Sequence, residues 1–74
     1  MEQLLEALKR ANPNVDFTSS DKLVTDKVID SIDITSILAE LEETFDIEID
    51  MEYIVAENFD SVDAMWEMVQ ELMD

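Results

Sequence analysis

Ile34, Ile37, Leu38, Leu41 and Phe45 stand at i, i+3, i+4, i+7 and i+11, the spacing that lays one apolar stripe along an α-helix. Glu40, Glu42 and Glu43 fall on the other side. Asp30 and Ser31, just before the stripe, are both good N-cap residues, and Asp33 places an acid inside the first turn. A second stripe, Leu4, Leu5, Leu8 and Ala11, has Glu2, Glu6, Lys9 and Arg10 on its polar side. Acids early and bases late suit the helix dipole, and Pro13 predicts a stop near Ala11. A third stripe, Val62, Met65, Trp66, Val69, Leu72 and Met73, follows a cap signal at Asp60-Ser61 and predicts a last helix.

The stretches between these helices are not solvated linkers. Residues 14–29 carry Val15, Phe17, Leu23, Val28 and Ile29, expected as buried anchors, around the turn chemistry of Thr18-Ser19-Ser20-Asp21. A loop this long inside a compact fold is often functional. Asp46-Ile47-Glu48-Ile49-Asp50 alternates like a strand, but no partner strand is evident, so it reads as a loop with Ile47 and Ile49 turned inward. Residues 51–57 predict one or two turns of helix anchored by Tyr53 and Ile54. No repeat and no low-complexity segment is apparent. The expected fold is all-α, three main helices with a short third helix between the last two, in one domain over residues 1–74.

Composition narrows the chemistry. With 74 residues the chain can bury only about 60% of its unfolded surface, yet its 47% hydrophobic content is that of a folded protein. Twenty acids against four bases leave a net charge of −16, and Lys9, Arg10, Lys22 and Lys27 all precede Ser31. Nucleic acid and anionic membrane surfaces are therefore poor partners, and basic protein patches good ones. The absence of Cys removes disulfides, thiolate nucleophiles and Cys-based zinc sites; the absence of His removes Ser-His dyads and His-ligated metals. The absence of Gly removes the glycine-rich phosphate loops. Asp16, Thr18, Ser20 and Asp21 do not make a calcium loop, because the required Gly is missing and Lys27 stands where the closing Glu belongs. No metal site and no catalytic residue is expected. The N-terminal residues do not read as a secretory signal, and no apolar run approaches the length of a membrane span. The expectation is a soluble, cytoplasmic monomer without membrane insertion.

Asp30-Ser31-Ile32, followed by a helix ending in Leu41-Glu42-Glu43-Thr44-Phe45-Asp46-Ile47-Glu48-Ile49, resembles the acyl carrier proteins. In that family an Asp-Ser-(Leu, Met or Ile) triplet opens the second helix, and its serine receives the 4′-phosphopantetheine arm of coenzyme A. The helix ending is nearly as distinctive as the triplet. The resemblance runs from about Leu23 to the C-terminus and is weakest before it, where the first helix is shorter than the family's. It implies an acyl-carrier-like bundle, Ser31 as the attachment residue with Asp30 supporting it, and a docking surface at Ile32, Asp33, Glu42 and Glu43. It also implies partners: a phosphopantetheinyl transferase, an acyl- or aminoacyl-loading ligase, and downstream transferases with basic docking patches. Around the serine, Lys27-Val28-Ile29-Asp30-Ser31 is closer to the Gly-Leu-Leu-Asp-Ser of D-alanyl carriers than to the Leu-Gly-x-Asp-Ser of fatty-acid carriers, with Lys27 where the Gly would stand.

Each feature also has a plainer reading. Ser31 alone could be only a helix cap, and Glu42 and Glu43 an ordinary solvated face. Ser36 and Ala39 stand where the family's docking surface often has another acid and a Met. The five Met and Trp66 read as core packing. A serine at its ordinary pKa needs a neighbouring base to act as a nucleophile, and none follows Lys27, so Ser31 reads as a substrate rather than a catalyst. Ile32 lies about 200° around the helix from Ile34, nearly opposite the buried stripe; the alternative is that it folds under the loop against Val28. The expected function is a free-standing acyl carrier of fatty acid or related acyl metabolism, with an aminoacyl or D-alanyl carrier as the alternative. The rival from another class is an acidic interaction protein that mimics nucleic acid and blocks a basic site.

Overall fold

The computed structural model describes residues 2–73. The predicted helices form where the stripes place them: α1 spans Glu2–Ala11, α2 Ser31–Phe45 and α4 Val62–Met73. A short α3, Ala56–Phe59, is preceded by a single 3₁₀ turn at Met51–Tyr53. The predicted third helix over 51–57 is thus split and displaced toward α4. No strand occurs among the described residues.

One core holds the helices together. Leu4, Ala7 and Leu8 of α1 meet Ile37 and Leu41 of α2, Phe59 of α3, and Met65, Met68 and Val69 of α4. The connecting loop adds Phe17, Leu23 and Ile29. Ala7, absent from the predicted stripe, is fully buried, and its small side chain lets α1 lie close against α2. Met68 is likewise buried, whereas Met73, a member of the predicted stripe, is 55% exposed in the last turn. The reason is geometric: α4 touches α1, α2 and α3, so it buries a wider arc than one stripe, and its last turn overruns the core. At the other end of α2 the Phe45 and Trp66 rings stand 6.1 Å apart at a tilted 58°, a favourable aromatic geometry.

Arg10 bridges α1 to α2, donating from Nε to Glu40 at 3.1 Å and from Nη2 to Thr44 Oγ1 at 2.9 Å. The pair is exposed, so its Coulomb contribution is small. Shape and burial carry the packing.

Two left-handed residues, Lys27 and Asp46, each end a helical segment that leads into a loop. Residues 22–26 make one helical turn that closes on Lys27 at φ 60°. There the Lys27 N–H donates to Val24 O at 3.0 Å and the Val28 N–H to Leu23 O at 2.8 Å, the paired bonds of a Schellman ending, where glycine is the favoured residue. The Gly in the D-alanyl-carrier pattern would occupy this position. Just beyond it, the N–H groups of Val28 and Ile29 both turn back to Leu23 O. Ile29 goes into the core, while Val28, expected as an anchor, is 38% exposed. Ile54, expected as an anchor together with Tyr53, is exposed to the same extent, whereas Tyr53 packs against the core. Asp46, at φ 54°, ends α2 by donating its N–H to Glu42 O. The Glu42 carboxylate then accepts the Ile49 N–H at 3.0 Å. Glu42 thereby holds residues 46–49 against α2, which turns Ile47 and Ile49 inward as expected.

Candidate functional site

The N-terminus of α2 is built by its own first turn. Asp30 is the N-cap, with extended φ/ψ of −112° and −172°. Its Oδ1 accepts the N–H groups of Ile32 at 3.0 Å and Asp33 at 2.9 Å. Asp33 Oδ2 accepts the Asp30 N–H in return at 3.1 Å, completing a capping box with an Asp in the position usually taken by Glu or Gln. Ile29 and Ile34 occupy the two positions of a hydrophobic staple and both join the core. Thr35 Oγ1 donates to Ser31 O at 2.9 Å. The start of α2 is thus pinned from below by apolar packing and from above by carboxylates.

Ser31 is the first residue inside this helix and is exposed. Of the two candidate caps, Asp30 does the capping. The Ser31 hydroxyl has no hydrogen-bond partner among the described residues and faces water. It stands at the positive end of a helix of 15 residues, where a phosphate diester is electrostatically tolerated. The residues present therefore fit a phosphate-linked group on this oxygen. No basic side chain shares the turn, so the hydroxyl is accessible without being activated.

The remaining expected residues separate into two groups. Ile32 is 74% exposed, and it shares an outward face of α2 with Thr35, Ala39 and Glu43. Ile32 and Glu43 lie eleven residues apart, about 16 Å along the helix axis. Asp33 and Glu42 are half-buried and engaged within the molecule, Asp33 with Asp30 and Asn12, Glu42 with Ile49. Of the four residues expected on a docking surface, the structure leaves Ile32 and Glu43 exposed. Val28, Met51, Ile54 and Val55 add further exposed apolar groups. Met51, read with the other Met as core packing, is instead 86% exposed, because it opens the short 3₁₀ turn rather than a helix face turned to the core; Met1 lies outside the described residues.

A second Asp-Ser-x-Asp run, Asp60-Ser61-Val62-Asp63, stands at the start of α4, a recurrence too short to register as a repeat. Here Ser61 Oγ accepts the Ala64 N–H at 3.0 Å, so the serine is the cap. The Asp60 carboxylate turns away to the loop and accepts the N–H groups of Val24 and Thr25 and the Thr25 hydroxyl, at 2.8–3.0 Å. The Asp60 carbonyl accepts the Leu23 N–H at 2.7 Å. The Thr25 N–H above all holds the Asp60 carboxyl below its ordinary pKa, against an opposing effect of desolvation. Asp16 is held below its ordinary value by Thr18, whose hydroxyl and N–H both donate to it. Among the described residues no group of acids is arranged to hold a metal ion, and no helix is long and apolar enough to cross a membrane.

The family model described as "Phosphopantetheine attachment site" matches residues 2–69. No curated protein and no solved structure is significantly similar to the chain. The matched stretch takes in α1, the long loop, α2, α3 and most of α4. The chain therefore belongs to the phosphopantetheine-binding carrier family, whose members hold a covalent 4′-phosphopantetheine arm and are worked on by a phosphopantetheinyl transferase and acyl-handling enzymes rather than being catalysts themselves.

Proposed function

We propose that Ser31 carries the arm and that the protein is a cytoplasmic acyl carrier. The observation that supports this most is the pairing of a membership that requires an attachment serine with a serine whose hydroxyl is exposed and unengaged at a helix start. In the loading step the Ser31 oxygen bonds to the coenzyme A phosphorus that bears pantetheine. The pyrophosphate P–O–P bond breaks, the nucleotide leaves, and the serine proton passes to a base on the transferase. Asp30 and Asp33 hold the turn so that the oxygen faces outward; they take no proton. The bound arm supplies a terminal thiol, on which acyl groups are held as thioesters. That thiol accounts for thioester carriage by a chain with no Cys. Loading ligases and transferases with basic patches dock along Ile32 and Glu43, where a protein of net charge −16 draws them.

The cargo we favour is an acyl intermediate of fatty acid or related metabolism. An amino acid such as D-alanine is the second reading, supported by the left-handed Lys27, which matches the glycine position of the D-alanyl-carrier pattern. Intact mass before and after treatment with coenzyme A, Mg²⁺ and a broad-specificity transferase tests the carrier assignment. The expected result is one arm on the wild type and none on Ser31→Ala. An unmodified wild type would favour the acidic, nucleic-acid-mimicking rival. Offering the loaded protein to a fatty acyl ligase and a D-alanine ligase separates the two cargoes by the mass gained.

A further inference from the structure

We propose that Asn12, at the far end of α1, is a positioning residue for arm transfer: through Asp33 it fixes the turn that presents Ser31. The inference rests on the assignment of Ser31 as the acceptor. Asn12 Nδ2 donates to Asp33 Oδ1 at 2.8 Å across 21 residues of chain. The same carboxylate uses its other oxygen, Oδ2, to accept the Asp30 N–H, and Asp30 in turn caps Ile32 and Asp33. Ser31 thus sits between the two members of a box whose outer oxygen is held from α1.

Asn12 is itself fixed. Its N–H donates to Leu8 O at 2.9 Å, continuing the α1 ladder, and its carbonyl accepts the Val15 N–H at 3.3 Å. Its Oδ1 accepts the Asn14 N–H at 3.2 Å, which leaves only the amide NH₂ to face Asp33 and so sets the orientation of the amide. The chemistry of the pair is specific. A carboxylate that already accepts one N–H needs a donor on its free oxygen, and in so acidic a chain a neutral amide supplies it without placing a cation beside the serine. The contact also ties the end of α1 to the first turn of α2, so movement of α1 would be felt at Ser31.

Positioning predicts an effect on turnover more than on docking, because Asn12 is half-buried and lies off the outward face of α2. Asn12→Ala should lower kcat for arm transfer about 10-fold, since small displacements of a reacting group cost roughly 10- to 100-fold, with KM changed less than about 3-fold. Asn12→Asp sets two carboxylates face to face and should be slower still. Asn12→Asp combined with Asp33→Asn restores the bond with donor and acceptor exchanged. The amide introduced at position 33 then donates its NH₂ to the carboxylate introduced at position 12, while its carbonyl oxygen accepts the Asp30 N–H. That double variant should return to within about 3-fold of wild type. Amide exchange at Asp30, read by NMR, should quicken in Asn12→Ala and recover in the double variant.

Wild-type kcat in both Asn12 single variants overturns the proposal, as does a double variant no faster than Asn12→Asp. If wild type accepts no arm, or Ser31→Ala still does, the acceptor assignment fails instead. The Asp30 exchange rate then decides the bridge alone, and an unchanged rate in Asn12→Ala overturns it.

Discussion

The starts of α2 and α4 carry nearly the same four residues, Asp30-Ser31-Ile32-Asp33 and Asp60-Ser61-Val62-Asp63, and use them in different registers. At α2 the aspartate caps and the serine is left as a free hydroxyl inside the helix. At α4 the serine caps and the aspartate is turned to the loop. What separates them is the surroundings of the first aspartate. Asp60 faces the backbone of Val24 and Thr25 and the Thr25 hydroxyl, three donors that win its carboxylate. Asp30 has no such competitor, and it folds back onto its own helix. An Asp-Ser pair is thus an accessible serine or an occupied one according to which of the two residues the rest of the chain leaves free.

The largest expected effect tests that contrast directly. Ser31→Ala should abolish arm transfer, while Ser61→Ala should leave it at the wild-type extent by intact mass. A modified Ser31→Ala protein would break the distinction between the two serines. Stability should respond the other way round. Ser61→Ala removes a cap and should cost about 1 kcal/mol, as should Asp30→Ala, whereas Ser31→Ala should cost less than about 0.5 kcal/mol. Denaturant midpoints measure all three.

Much of this contrast could be read from the sequence, though not its decisive part. The three amphipathic helices were visible because each buries a stripe of helical period, as Ile34 to Phe45 do. The motif around Ser31 was visible because residue types and spacing suffice for it. The partners of the acids were not visible. Asn12 holds Asp33 and the Ile49 N–H holds Glu42, contacts that depend on where the chain returns after 21 and 7 residues. The exposure of Val28 was likewise hidden, since it depends on the left-handed turn at Lys27. No residue type announces that turn when the glycine usual there is replaced by lysine.

Lys27 and Asp46 offer a second way to sharpen the view of these loops. A left-handed conformation costs a residue with a Cβ roughly 1–2 kcal/mol, partly offset by the greater unfolded-state freedom of glycine. Lys27→Gly should therefore stabilise the fold by up to about 1 kcal/mol. Asp46→Gly should gain less, because Asp tolerates this region better. A Lys27→Gly protein that melts below wild type would mean that the lysine side chain contributes packing that outweighs its backbone strain.

The Asp60 clamp has a pH signature. The folded-state pKa of Asp60 is depressed, so its ionised form adds stability that is complete above the ordinary carboxyl value of 3.8 and is lost as pH falls through the folded value. Asp60→Asn cannot ionise. The stability difference between wild type and Asp60→Asn should be constant near neutral pH and shrink below pH 3.8. Using the difference cancels the titration of the other acids. A gap that persists unchanged into acid would assign the role of Asp60 to shape rather than charge.

The smallest stability effect belongs to Ile32, and its smallness is what makes it informative. Ile32 and Val62 follow the two serines, yet Ile32 is 74% exposed whereas Val62 is half-buried and packed against the core. Val62→Ala should cost about 1 kcal/mol through lost burial. Ile32→Ala should change stability by no more than about 0.5 kcal/mol, because little of its side chain is removed from water. A large apolar group held in water beside a free serine has no use in the isolated fold. The proposed docking gives it one, the modifying enzyme removing it from water and aligning the hydroxyl. Ile32→Ala should accordingly slow arm transfer while leaving the melting temperature almost unchanged, and Val62→Ala should lower the melting temperature while leaving transfer unchanged. Equal transfer rates in the two variants would remove Ile32 from the docking face and leave Glu43 to carry it.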